Sequence, residues 1–87
     1  MPQFIVISSP GKIELKSKEL GDSHLDYLRK LKQEGKLEIA GRFTDGSGGL
    51  YILNASNLAE AEGMAERDPY NSSGYRIYTI KGWERRV

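Results

Sequence analysis

One side chain in this sequence is equipped to move protons near neutral pH: His24, the only histidine, within the stretch GDSHLDYLRKL from Gly21 to Leu31. An imidazole both accepts and returns a proton in that range, and a carboxylate beside it orients the ring and stabilises its protonated form. The chain has no cysteine, which removes thiolate nucleophiles, thiolate metal sites and disulfides together and fits a reducing compartment. One histidine falls short of a zinc or non-haem iron ligand set, so neither a metal nor a cofactor is expected. What remains is general acid/base chemistry, and the question is which carboxylate serves the histidine.

Leu20, His24, Tyr27, Leu28 and Leu31 recur at the three- and four-residue intervals of one helical face, so His24 points inward. Lys30, Lys32, Gln33 and Glu34 mostly fall off that stripe, and the helix is amphipathic. A lone histidine on such a face can also do no more than pack and hydrogen-bond a neighbour.

The elements that must position it follow from the rest of the pattern. Phe4 to Ile7 is a β-branched strand closed by a turn at Ser8-Ser9-Pro10-Gly11. The first helix runs from about Lys18 or later to Glu34, with Gly35 as its C-terminal cap; a capping box over Ser23 to Asp26 would start it later. Lys36 to Phe43 alternates Leu37, Ile39 and Gly41 against Glu38, Ala40 and Arg42, and Thr44 to Gly49 turns the chain into Leu50 to Leu53. That glycine-rich turn joins two strands, so it reads as a hairpin and not as a phosphate cradle, which leads from strand to helix. Ser56 is the expected N-cap of a second helix carrying Leu58, Ala61, Met64 and Ala65, which ends near Arg67-Asp68-Pro69. Tyr75 to Ile80 is the last strand, and Lys81 to Val87 a polar tail.

The order βαββαβ with short right-handed connections gives an α+β fold, a ferredoxin-like plait: a four-stranded antiparallel sheet with two helices on one face. The start of the first helix and the end of the second then share one edge, which makes His24 and Asp68 neighbours. Ser8, Ser9, Arg42, Phe43 and Asp45 come to the same rim from strand ends, with Tyr70 just beyond Asp68. Hydroxyls and an arginine there suit the anionic oxygens of a substrate. The strands are apolar on both sides, Phe4 and Val6 opposing Ile5 and Ile7, so the helix-free face calls for a cover, most economically a second copy.

HLDYLRKLKQEGKLEIAG, DGSGGLYIL and the tripeptide DPY, in this order, resemble the YCII-related family over nearly the whole chain. The resemblance implies a single YCII-like domain over residues 1–87, a ferredoxin-like protomer in a dimeric α+β barrel, and a catalytic histidine and aspartate that map onto His24 and Asp68. It implies an enzyme within a group that includes isomerases, lyases and oxygenases of small organic molecules. Family members often carry an arginine shortly before the histidine; here Gly21-Asp22-Ser23 precedes it, and Arg42 is the candidate to supply that cation from another strand.

The expected function is therefore a cofactor-free homodimer in which His24 and Asp68 transfer protons on a small organic acid or degradation intermediate, as an isomerase or lyase does. A ligand-binding or regulatory dimer using the same cleft without chemistry is the alternative. Thirteen Lys and Arg balance twelve Asp and Glu with no long run of one sign, so nucleic acid is not called for. The third strand, Ser47 to Leu53, also lacks the basic and stacked-aromatic pattern of an RNA-recognition motif. No segment has the length of a membrane span or the plan of a signal peptide, so a cytoplasmic location without membrane contact is expected.

Overall fold

The computed structural model describes residues 1–14 and 16–87. Its elements are β1 (Gln3–Pro10), α1 (Lys18–Gln33), β2 (Leu37–Arg42), β3 (Gly49–Asn54), α2 (Leu58–Glu66), α3 (Pro69–Ser72) and β4 (Arg76–Trp83). The four strands form one antiparallel sheet in the order β2-β3-β1-β4. This is the ferredoxin-like plait, with one short helix more than the pattern of the sequence suggests.

Several boundaries differ from the sequence reading, each for a local reason. Ser8, Ser9 and Pro10 continue β1 instead of turning, because β4 extends alongside them and pairs Ser9 with Ile77 and Pro10 with Arg76. β4 likewise runs on to Trp83, which pairs with Gln3, so the polar tail is shorter than expected. Ser17, and not Ser23, caps α1: its Oγ accepts the Leu20 amide at 3.0 Å. Asn57 takes the place expected for Ser56, accepting the Glu60 amide at 2.9 Å. Gly35, with φ 75°, ends α1 as expected: the Lys36 amide returns to the Leu31 carbonyl and the Gly35 amide to that of Lys32.

Pro69 ends α2 but also begins α3, since a proline at the first helical position gives up an amide that would have no partner there. Asp68 is the N-cap of that short helix. Val6, Leu53 and Met64 are fully buried between sheet and helices, and Ala61 and Ala65 let α2 approach the strands closely.

A bulge in β2 sets which residues face the helices. Leu37 pairs with Leu53 and Ile39 with Ile52, so the two strands advance by different steps there. The simple alternation expected of β2 is thereby broken: Leu37 joins the core, while Ile39 is 59% exposed on the opposite face. Beyond the bulge Ala40 pairs with Tyr51 and Arg42 with Gly49, which turns Arg42 toward the helix side. The helix-free face carries Ile5, Ile7, Ile39, Leu50, Ile52 and Ile77, with Ile77 49% exposed.

Candidate functional site

Asp68 is completely buried, an uncommon position for a carboxylate, and four donors converge on it. Oδ1 takes the Tyr70 amide at 3.0 Å and lies 2.7 Å from His24 Nδ1; Oδ2 takes the Tyr78 hydroxyl at 2.6 Å and the Tyr51 hydroxyl at 3.3 Å. The amide bond is the N-cap interaction of α3, so the turn Asp68-Pro69-Tyr70 fixes the carboxylate before any side chain reaches it. A carboxylate surrounded by donors is an acceptor at every position, so Nδ1 carries a proton, and in the neutral ring Nε2 is the acceptor.

His24 reaches this carboxylate from the second turn of α1, and its side chain retains 14% exposure at the wall of a cleft. Its ring lies flat on Tyr70, with centroids 3.7 Å apart and planes 2° from parallel, and Tyr70 in turn meets Tyr75 edge-on at 4.9 Å. The imidazole is held along one edge by Asp68 and across one face by Tyr70. Gly21, one turn earlier on α1, is buried beside the Lys16 side chain, 3.0 Å from where a Cβ would sit, with the Tyr70 hydroxyl in ordinary contact at 3.7 Å.

Both tyrosines on Asp68 are held firmly in the protonated form. Burial pushes the Tyr51 hydroxyl far above the ordinary phenol range, helped next by the charge of Asp68. For Tyr78 burial again comes first, followed by repulsion from an ionised Tyr51 and by the Asp68 charge. The two therefore remain hydrogen-bond donors to Asp68 throughout the working pH range. Tyr27, which donates to the Met64 carbonyl at 2.6 Å, is also raised, chiefly by burial.

The cleft holds roughly 560 Å³, enough for a small organic molecule. Ser8, His24, Arg42 and Tyr70 line it, with Asp68 behind His24. Ser8 Oγ accepts the Gly49 amide at 2.7 Å, so it also closes the sheet at that end.

Ser9, Phe43 and Asp45 lie off the cleft. Ser9 is one residue out of phase with Ser8 on β1, and its hydroxyl donates to the Ile77 carbonyl at 3.3 Å. Phe43 lines a separate shallow depression with Ile39 and Leu50. Asp45 is spent on its own turn, accepting the Ser47 amide and hydroxyl at 2.9 and 2.6 Å, and these bonds hold its carboxyl below the usual range.

Lining residues that the sequence reading did not single out are Lys16, Tyr51, Tyr75, Arg76 and Tyr78. Period-two parity was the available signal for two of them: Tyr51 shares a face with core residue Leu53, and Tyr78 with Ile80. A tyrosine on a helix-covered face needs a hydrogen-bond partner. No group of three or more His, Cys, Asp or Glu side chains suited to a metal occurs among the described residues, and no described helix is long and apolar enough to cross a membrane.

The model of the YCII-related domain matches residues 3–84. The chain belongs to the YCII-related family. Uncharacterized protein YjpA of Bacillus subtilis (strain 168) is 38% identical to this YCII-related protein over 61 residues, 70% of this chain and 72% of that one. The fold is shared with 5-chloro-2-hydroxyhydroquinone dehydrochlorinase (TftG) from Burkholderia phenoliruptrix AC1100, solved in complex with 2,5-dihydroxybenzoquinone. That structure has a TM-score of 0.71 at 20% identity and covers 94% of this chain and 93% of its own. Muconolactone isomerase has a TM-score of 0.78 at 12% identity, covering 97% and 90%. At such identities the likeness speaks for the fold of the protomer and no further.

Proposed function

We propose that this YCII-related protein is a small cofactor-free enzyme that transfers a proton on a small organic acid, as an isomerase or lyase, with His24 as the proton carrier and Asp68 as its orienting partner. The observation that carries the reading is the 2.7 Å contact between His24 Nδ1 and the fully buried Asp68, with the imidazole at a cleft wall. Burial of this kind is costly for a carboxylate unless donors compensate it, as the four donors do here. A dehydrochlorinase and an isomerase on the same fold add support for small-molecule chemistry.

In this reading Nε2 takes a proton from a carbon next to a carbonyl or carboxylate. The C–H bonding pair moves into the adjacent π system, and the imidazolium that forms is stabilised by Asp68. Returning the proton to a different carbon completes an isomerisation; departure of a leaving group with its bonding pair, as a new C=C bond forms, completes an elimination. Ser8 and Arg42 would face the substrate's anionic oxygens, and Tyr70 would hold both the ring and the substrate's carbon frame. The site would work in a homodimer joined through the helix-free sheet face.

A panel of unsaturated and keto acids incubated in D₂O tests this, since proton abstraction writes deuterium into the substrate even where no net product accumulates. His24→Ala should lower exchange by about 10²- to 10⁴-fold, and Asp68→Asn should lower kcat more than it changes KM. Full exchange in the His24→Ala protein would overturn the assignment. Tight binding by the wild type with no exchange of any bound acid would make the cleft a recognition site instead.

A further inference from the structure

We propose that Arg76 is the residue that recognises the ligand's charge, and that the ligand is a flat, unsaturated carboxylate. This deepens the acid/base reading and rests on it for the claim that the ligand is a substrate. The starting point is the distribution of charge. The whole chain carries a net charge of only +1. Yet the cleft is lined by four cations, Lys16, Lys18, Arg42 and Arg76, against one carboxylate, Asp22, while Asp68 lies behind the wall and is saturated by its four donors. Asp22 is taken by Lys18 at 2.9 Å. Lys16, Arg42 and Arg76 make no salt bridge among the described residues. A concave surface of one sign draws in ligands of the other.

Lys18 is tied to Asp22 and Lys16 lies 5.6 Å over the Tyr70 ring, both exposed, whereas Arg76 is half-buried and held by several contacts at once. Its guanidinium carbon sits 4.1 Å from the centroid of Tyr75, a buried ring. One terminal nitrogen donates to the Gly46 carbonyl at 3.3 Å and the Tyr75 hydroxyl at 3.1 Å, and the other makes a long contact with the Tyr75 carbonyl at 3.5 Å. Nε–H and one further N–H are left over for a ligand. Arg42, Lys16 and Lys18 are exposed and must be ordered when they bind, whereas a fixed, planar guanidinium loses little freedom on meeting a carboxylate.

The position of Arg76 relative to the chemistry is also set by the sheet. Arg76 and Tyr78 are two apart on β4 and so face the same side, and Tyr78 bonds the carboxylate that holds His24. Cation and imidazole are thus tied to one rigid frame. The remaining walls include Tyr51, Tyr70, Tyr75 and Tyr78 together with Leu25 and Leu28, an aromatic and apolar lining that suits a conjugated body.

Benzoate and its neutral analogue benzamide separate charge from shape, and neither requires turnover. Followed by NMR shifts of cleft resonances, benzoate should saturate the wild type and benzamide should bind about tenfold or more weakly, the value of one ionic contact of about 1.4 kcal/mol. Arg76→Gln should weaken benzoate by a similar factor and leave benzamide unchanged. Arg76→Lys, which keeps the charge and loses the fork, should fall between them and guards against a folding defect in the glutamine variant. These binding measurements need no proton transfer, whereas deuterium exchange into a substrate reads that step alone, so failure of the proton-transfer reading and failure of this one are told apart. Equal binding of benzoate and benzamide, no saturable benzoate shift in the wild type, or an Arg76→Gln protein with undiminished benzoate affinity would each overturn the proposal.

Discussion

Replacing Tyr78 by Phe removes one oxygen from the most buried part of the site and leaves the ring's volume in place. The lost bond is short, 2.6 Å, and ends on a fully buried carboxylate. Hydrogen bonds to charged groups contribute about 1.5–3 kcal/mol, so Tyr78→Phe should cost about 2 kcal/mol. For a domain of this size that lowers Tm by roughly 10 °C. Tyr51→Phe removes a bond of 3.3 Å, beyond the favoured hydroxyl range, and should cost about 1 kcal/mol or less. The double variant leaves Oδ2 with no donor and should cost more than the two singles together. The same pair makes a prediction in alkali. Both hydroxyls are raised above their unfolded value, so the folded chain keeps protons that the unfolded chain has released above about pH 10, and stability falls as pH rises from there. Each such tyrosine adds up to about 1.4 kcal/mol per pH unit to that slope. Tyr78→Phe loses one share of it, so its deficit of about 2 kcal/mol at pH 8 should close by about 1.5 units above pH 10. Urea unfolding at fixed protein concentration between pH 8 and 11.5 reads both effects. A Tyr51→Phe protein as destabilised as Tyr78→Phe, or a Tyr78→Phe deficit that does not narrow in alkali, would refute the reasoning.

Two further outcomes follow from the fold. Light scattering at micromolar concentration should report twice the chain mass, and Ile39→Lys with Ile77→Lys, both on the helix-free face, should halve it; a double-lysine protein that stays dimeric would place the interface elsewhere. Gly48→Ala should destabilise by more than about 2 kcal/mol in thermal melts, because its Cβ would sit 2.1 Å from the Ser8 carbonyl oxygen, whereas Gly46→Ala, with positive φ but open space, should cost roughly 1 kcal/mol; equal effects would count against the close β1–β3 approach.

The plait was legible in the sequence because its signals are periodic: the apolar stripe of α1, the β-branched run of β1, and the glycine-rich turn between β2 and β3. The proximity of His24 to Asp68 followed from element order alone, since both lie at element ends that the topology brings to one edge. What escaped was whatever depends on pairing or phase. Ser17 and Asn57 were overlooked as caps because Ser23 and Ser56 offer the same chemistry nearby, and a cap is chosen by where the helix packs. The bulge between Leu37 and Ile39 has no glycine or proline to mark it, and it decides which way Arg42 faces. Ser9 and Asp45 are chemically equivalent to useful site residues, but one is out of phase by a single position and the other is consumed by its own turn. Nothing in the sequence sets Arg76 apart from other charged residues, and its stacking on Tyr75 exists only once the strand is in place.

The double duty of Asp68 bears on how relatives of this chain are to be read. The same carboxylate caps α3, anchors two tyrosines and orients the imidazole, so a lineage that had lost all activity would still be under selection to keep an aspartate there, simply to remain folded. Its presence in another sequence therefore testifies to architecture and says little about chemistry. His24 is the more telling position, because it makes one of the four contacts to that carboxylate and sits at the cleft wall, where a glutamine or asparagine could supply the same hydrogen bond. On the proton-transfer reading proposed above, a relative that retains the aspartate but has exchanged the histidine would be a scaffold without that chemistry, and a survey that scores the two positions together would count such proteins as enzymes.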